Sequence, residues 1–163
     1  MIKERIILDT DPGIDDALAL LLLAASPEIK IEAITTTHGN STVENCTKNA
    51  LQLLELAKLD IPVARGAAEP LIKDLTIAAE THGDNGLGNA HLPATQKSAL
   101  TQHASDFICE IINANPGEIT ILAIGPLTNI ALAIHRSPQI VNKVKRIITM
   151  AGAIHRSEEH TSE

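Results

Sequence analysis

Aromatic residues are almost missing from this sequence: 163 residues include one phenylalanine, Phe107, and no tryptophan or tyrosine. A core must therefore be built from Ile, Leu, Val and Ala, and stacking platforms for nucleic-acid bases are lacking beyond His and Arg. Cysteine is nearly as scarce. Cys46 and Cys109 fall in helix-like segments without metal-ligand spacing and read as buried free thiols. Basic charge is outweighed, leaving a formal net charge of −7, which argues against nucleic acid as a partner. No apolar run approaches the ~20 residues that span a bilayer. Met1-Ile2-Lys3-Glu4-Arg5 lacks the apolar centre of a secretory signal. The expectation is one cytoplasmic domain, whose 44% apolar residues suffice for a sizeable core.

What is present alternates. Apolar runs at Arg5–Asp9, Ile29–Thr36, Ile61–Ala64, Glu118–Ile124 and Val144–Met150 read as strands. Ile14–Ala25, Thr42–Leu59, Ser98–Asn115 and Leu127–His135 read as helices, with a further turn at Pro138–Asn142. Strands separated by helices of this length predict an α/β fold, an open, mainly parallel Rossmann-like sheet with helices on both faces. The nearly continuous apolar content of the strands predicts cover on both faces. The stretch 66–97 is long, weakly periodic and rich in turn formers, as functional loops often are. Polar groups and glycines follow each strand, and ligands of open parallel sheets bind at those carboxyl ends.

The densest signal follows the first strand. Asp9, Asp11, Asp15 and Asp16 lie in Asp9-Thr10-Asp11-Pro12-Gly13-Ile14-Asp15-Asp16, around a Pro-Gly turn at a strand-to-helix junction. A helix N-terminus offsets only about 0.3–1 kcal/mol per negative charge. Carboxylates this close repel unless protonated or neutralised, so a hard divalent cation with oxygen ligands is the economical explanation. The plainer alternative is that Asp9 ends a strand and Asp15 and Asp16 fill a first helical turn; four aspartates around one turn favour the cation.

Asp9-Thr10-Asp11-Pro12-Gly13-Ile14-Asp15-Asp16-Ala17 closely resembles the signature of the nucleoside hydrolases, the inosine/uridine-preferring group. Ala33-Ile34-Thr35-Thr36-Thr37 leading to Gly39-Asn40, His82-Gly83-Asp84-Asn85-Gly86-Leu87-Gly88, Gly125-Pro126-Leu127-Thr128-Asn129 and Ile147-Ile148-Thr149-Met150-Ala151-Gly152-Ala153 agree with it in order and spacing. The resemblance implies hydrolysis of the N-glycosidic bond of ribonucleosides with a bound calcium ion. It implies that Asp11 and Asp16 ligate calcium through carboxylates and Ile124 through its backbone carbonyl. Asp11 is then also the general base on a calcium-bound water. Asp15 and Asn40 hold ribose hydroxyls, Met150 lines the ribose pocket, and His82 sits near the base and assists its departure. Asp9 is expected to support the site from behind. The implied partner is a small ribonucleoside, with neither nucleic acid nor membrane, and the full-length protein is expected to be a homodimer or homotetramer.

Such chemistry suits these residue types. The ribosyl carbon departs with oxocarbenium character; a divalent ion acidifies water and orients hydroxyls, and a carboxylate takes the proton. Local sequence alone leaves Asn40 open as a turn residue, His82 as an exposed loop histidine, Thr128-Asn129 as a helix start and Met150 as core packing. The resemblance covers residues 1–154. The polar stretch 155–163 has no counterpart in it and reads as a foreign or prematurely ended terminus. The family's later Ala-Glu-Phe-Asn segment, a further calcium-ligating aspartate and an active-site histidine are absent from this sequence, which is expected to be weakly active or inactive as it stands. Two other readings remain. One is a haloacid dehalogenase-type phosphohydrolase, which also ends its first strand in Asp-x-Asp. The other is a non-catalytic remnant.

Overall fold

The computed structural model describes residues 3–152; the polar stretch 155–163 lies outside the described residues. Five parallel strands, β1 (Glu4–Thr10), β2 (Ile29–Thr36), β3 (Val63–Arg65), β4 (Ile119–Ala123) and β5 (Arg146–Thr149), form one sheet in the order β3-β2-β1-β4-β5. Helices α1 (Ile14–Ala25), α2 (Val43–Leu56), α3 (Ala79–His82), α4 (Ala104–Ala114) and α5 (Thr128–Arg136) and a 3-10 turn at Pro138–Asn142 connect them. The chain runs outward from β1 to β3, then returns to the other side of β1 to place β4. The reversal opens a crevice between the carboxyl ends of β1 and β4, the position at which open α/β sheets bind ligands.

Strand alternation divides the core. Ile7 and Ile121 pack with Ile108 and Ile112 of α4, Ile130 and Ala133 of α5, and Ile140. Leu8 and Ile34 pack on the other side with Leu20 of α1 and Ala50 and Leu54 of α2. The predicted α/β architecture is thus observed, and both β2 and α1 have the expected bounds.

Four expectations are corrected. The fourth helix begins at Ala104, not Ser98, because the Leu100 amide donates to the Val63 carbonyl (2.8 Å) along the edge of β3, and His103 caps the helix by accepting from the Ser105 amide. The second helix ends at Leu56, because Lys58 turns into the left-handed region (φ 54°) and the Leu59 amide closes onto the Leu54 carbonyl (2.9 Å). Cover on both faces holds for β1, buried from Ile6 to Thr10, but all four residues of β5 are exposed. Both cysteines are free as expected, yet only Cys46 is buried; Cys109 is half-buried. Among the described residues, no helix is long and apolar enough to cross a membrane.

Candidate active site

The strand-to-helix junction after β1 is built by its own side chains. Asp16 occupies the third position of α1, and its Oδ2 accepts from the Gly13 amide (3.2 Å), closing the first turn. Its Oδ1 accepts from the Thr10 hydroxyl (2.5 Å). Asn40, in the loop after β2, reaches across to the same place. Its backbone amide donates to Asp11 Oδ2 (2.8 Å), and its Nδ2 donates to the Asp11 carbonyl (3.0 Å) and to Asp16 Oδ2 (2.8 Å). One asparagine thereby holds Asp11 and Asp16 together. Glycines make this possible: a side chain at Gly13 would strike Asn40 and His82, and one at Gly125 would strike Asp11.

Asp11 is 5% exposed and Asp16 4%. Burial, and secondarily the Asp16 carboxylate, pushes the Asp11 carboxyl up to about 8. Burial also raises Asp16, despite the Thr10 and Gly13 hydrogen bonds. Two buried acids that resist ionising side by side suit a hard cation, which would reverse both penalties. Among the described residues, no three acidic, histidine or cysteine side chains converge as a metal-binding group. Cys46, close enough to feel both aspartates, is buried and pushed up to about 12 by burial first and Asp11 second; it is an inert thiol rather than a nucleophile.

The raised Asp11 makes a signed prediction. Its folded value lies above its ordinary 3.8, so the folded state holds a proton that the unfolded state releases. The stability this confers is lost as pH rises through about 8. His38 and His103 are lowered by burial and act in the opposite sense, but only below their ordinary 6.5. With a chelator present, the melting temperature should therefore fall between about pH 6.5 and pH 8, and Asp11→Asn should flatten that slope. A rising melting temperature across this window would contradict the assignment.

Asp9 faces elsewhere. Its Oδ1 accepts from the Thr35 hydroxyl (2.5 Å) and from Asn129 Nδ2 (2.9 Å), and burial raises it to about 6. Asp9 Oδ2 and the Thr37 hydroxyl are buried without a partner among the described residues. Asp15, beside Asp16 in the first turn of α1, is exposed. The long loop delivers His82 to the same turn: its Nδ1 accepts from the Ile14 amide (3.3 Å), so the ring proton sits on Nε2. Asn49 of α2 fastens that loop, donating to the Pro12 carbonyl (3.2 Å) and the Asn85 carbonyl (2.8 Å). Ile124 follows β4, and its amide donates to the Asp9 carbonyl (2.9 Å). Met150, just past β5, is 65% exposed, with its amide on the Ala123 carbonyl (2.9 Å). The structure thus brings Asp11, Asp16, Asn40 and His82 together, sets Ile124 against the carboxyl end of β1, and leaves Asp15 and Met150 exposed.

Sequence reasoning missed Thr10 and Thr35 as carboxylate partners. The only signal was threonine clustering at two strand ends, Thr10 and Thr35-Thr36-Thr37. It also missed Asn49, which nothing local distinguishes from an exposed helix residue.

A sequence model described as inosine-uridine preferring nucleoside hydrolase matches residues 6–163. Uridine nucleosidase 1 of Arabidopsis thaliana is 45% identical over 152 residues, covering 92% of this chain and 45% of that protein. A plant nucleoside hydrolase, the PpNRh1 enzyme, superposes with a TM-score of 0.88 at 42% identity, covering 92% of this chain and 48% of that one. The purine-preferring ribonucleoside hydrolase from Gardnerella vaginalis also gives 0.88, at 34% identity over 91% of this chain and 49% of that one. The chain spans about half the length of these relatives. With the family pattern running over nearly all its residues and the same fold carrying its aspartates, the chain belongs to the inosine-uridine preferring nucleoside hydrolase family.

Proposed function

We propose that the full-length protein hydrolyses the N-glycosidic bond of ribonucleosides to ribose and free base, and that calcium is its metal. The observation that carries this reading is the Asp11–Asn40–Asp16 arrangement in the crevice between β1 and β4. Asp11, Asp16 and the Ile124 carbonyl would hold the calcium ion, which would supply charge that acidifies water and orients ribose hydroxyls. The donors are all oxygens, which suits calcium rather than zinc.

The remaining chemistry belongs to this chain's side chains. Asn40 binds Asp11 Oδ2 through its backbone, and Asp11 Oδ1 faces Gly125. Asp11 takes a proton from the attacking water as the C1′–O bond forms and the C1′–N bond breaks. Asn40 has spent both Nδ2 protons on Asp11 and Asp16, so its Oδ1 is left to accept from a ribose hydroxyl. Asp15, exposed at the helix start, accepts from another, and Met150 closes the sugar side. His82, with Nδ1 occupied by the Ile14 amide, presents Nε2–H as a hydrogen-bond donor to the departing base. Residues 1–154 would form the family's N-terminal part, while the family match itself runs on through residue 163. A small-molecule substrate, a homo-oligomeric assembly and a cytoplasmic location complete the proposal. Relatives named for uridine and for purines both match this half, so the match by itself assigns no base preference.

Reducing-sugar release from inosine and uridine by the full-length protein tests the reading. Turnover should vanish on chelation and return with calcium but not zinc. Phosphate release from phosphomonoesters without ribose release would establish the phosphohydrolase instead.

A further inference from the structure

We infer that Asn129 is a positioning residue for the reaction: its side-chain amide locks the carboxyl ends of β1, β2 and β3 to the start of α5 and so fixes where Asp11 and Ile124 stand. The inference rests on the proposed calcium site for its binding readout and on the proposed hydrolase activity for its kinetic readout.

Asn129 is fully buried in the first turn of α5. Its Nδ2 donates to Asp9 Oδ1 (2.9 Å) and to the Thr36 carbonyl (3.0 Å), and its Oδ1 accepts from the Ala67 amide (2.9 Å). Those three partners end β1, end β2 and follow β3, while Asn129 itself follows β4. Gly66 has no side chain because the amide occupies that space: a Cβ there would overlap the Asn129 Cγ and its oxygen and nitrogen. A helix start needs none of this, and Asn129 caps nothing in α5, which lacks a side-chain cap. What the amide does control is Asp9. Asp9 lies two residues before Asp11 on β1, and its carbonyl receives the Ile124 amide (2.9 Å). Fixing Asp9 therefore fixes both the chain that presents Asp11 and the chain that presents the Ile124 carbonyl. Groups that orient ligands from behind are worth about 10–100-fold in metal affinity or activity.

The test uses the full-length protein, with calcium binding followed by titration calorimetry and turnover measured on inosine and uridine. Asn129→Ala, shown folded by calorimetry, should weaken calcium binding about tenfold and lower kcat about 30-fold, with KM changed less than threefold. Asn129→Asp should be worse, because two carboxylates then face each other, and adding Asp9→Asn should recover at least tenfold by restoring a donor–acceptor pair. A merely structural residue would lower the melting temperature without the kcat-against-KM split and without rescue by exchange. Calcium affinity and kcat within twofold of the parent in folded Asn129→Ala would overturn the inference. If that variant does not fold, Thr35→Val decides: it removes the other donor to Asp9 Oδ1 at constant shape and should reduce calcium affinity at least threefold, and unchanged affinity would overturn the inference. If the parent turns over no ribonucleoside yet Asn129→Ala weakens its calcium binding, the positioning role stands and the hydrolase reading fails.

Discussion

Replacing Asp11 by alanine in the full-length protein is expected to lower kcat on inosine and uridine by at least ~10⁴-fold, the upper end of the ~10²–10⁴ that a general base alone contributes, because the same carboxylate is asked to bind the cation. The structure supports both demands. Asp11 is held from two directions by Asn40 and pressed against Gly125, so its oxygens have little freedom to adapt. It is buried beside Asp16 and raised to about 8, so without a cation it stays protonated near neutral pH. Removing it deletes the proton acceptor and half of the carboxylate pair together. Asp11→Asn separates the roles partly, since it keeps the hydrogen bond from the Asn40 amide but cannot accept a proton from water. Rates of both variants within tenfold of the parent, measured by reducing-sugar release, would sink the assignment of Asp11.

Gly39→Ala should be nearly as damaging, although Gly39 carries no chemistry. Its φ is +146°, in the range that side chains rarely adopt, and a Cβ there would land on Asp11 Oδ2 and within 3.1 Å of Pro126 Cδ. The backbone strain alone is on the order of 1–3 kcal/mol. The larger effect is on position: a displacement of Asp11 by about 1 Å is enough for a ~10²-fold loss in turnover. Gly117 provides the contrast. It also has positive φ, +77°, but nothing lies within 4 Å of its would-be Cβ. Gly117→Ala should lower the melting temperature through strain alone and leave kcat unchanged. Calorimetry and steady-state rates on the two variants decide the matter. Equal kcat for both would show that Gly39 matters only for its backbone.

Much of this was legible in residue order. The Asp-Thr-Asp-Pro-Gly-Ile-Asp-Asp run marks a strand end, a turn and a helix start, and α1 begins and ends where its apolar pattern does. β2 likewise coincides with its apolar run. The choice of Asp11, Asp16, Asn40 and His82 came from a family pattern rather than from spacing, and all four meet at one turn. The strand, turn and helix signals are local: propensity, capping and periodicity are settled by neighbours a few residues away.

What only the tertiary structure decided is long-range. The order β3-β2-β1-β4-β5 sets the crevice between β1 and β4, and no property of β4 alone says that it pairs with β1. The four aspartates look equivalent in sequence. In the fold, Asp11 and Asp16 share Asn40, Asp9 turns to Thr35 and Asn129, and Asp15 stays exposed. Packing also overrode local preference where Leu100 left a helical pattern to bond along β3. Each of these outcomes depends on partners far along the chain, as with Asn129 and Asp9, 120 residues apart. A buried polar group must find such a partner wherever the fold provides one, because leaving it unpaired costs about 1–3 kcal/mol.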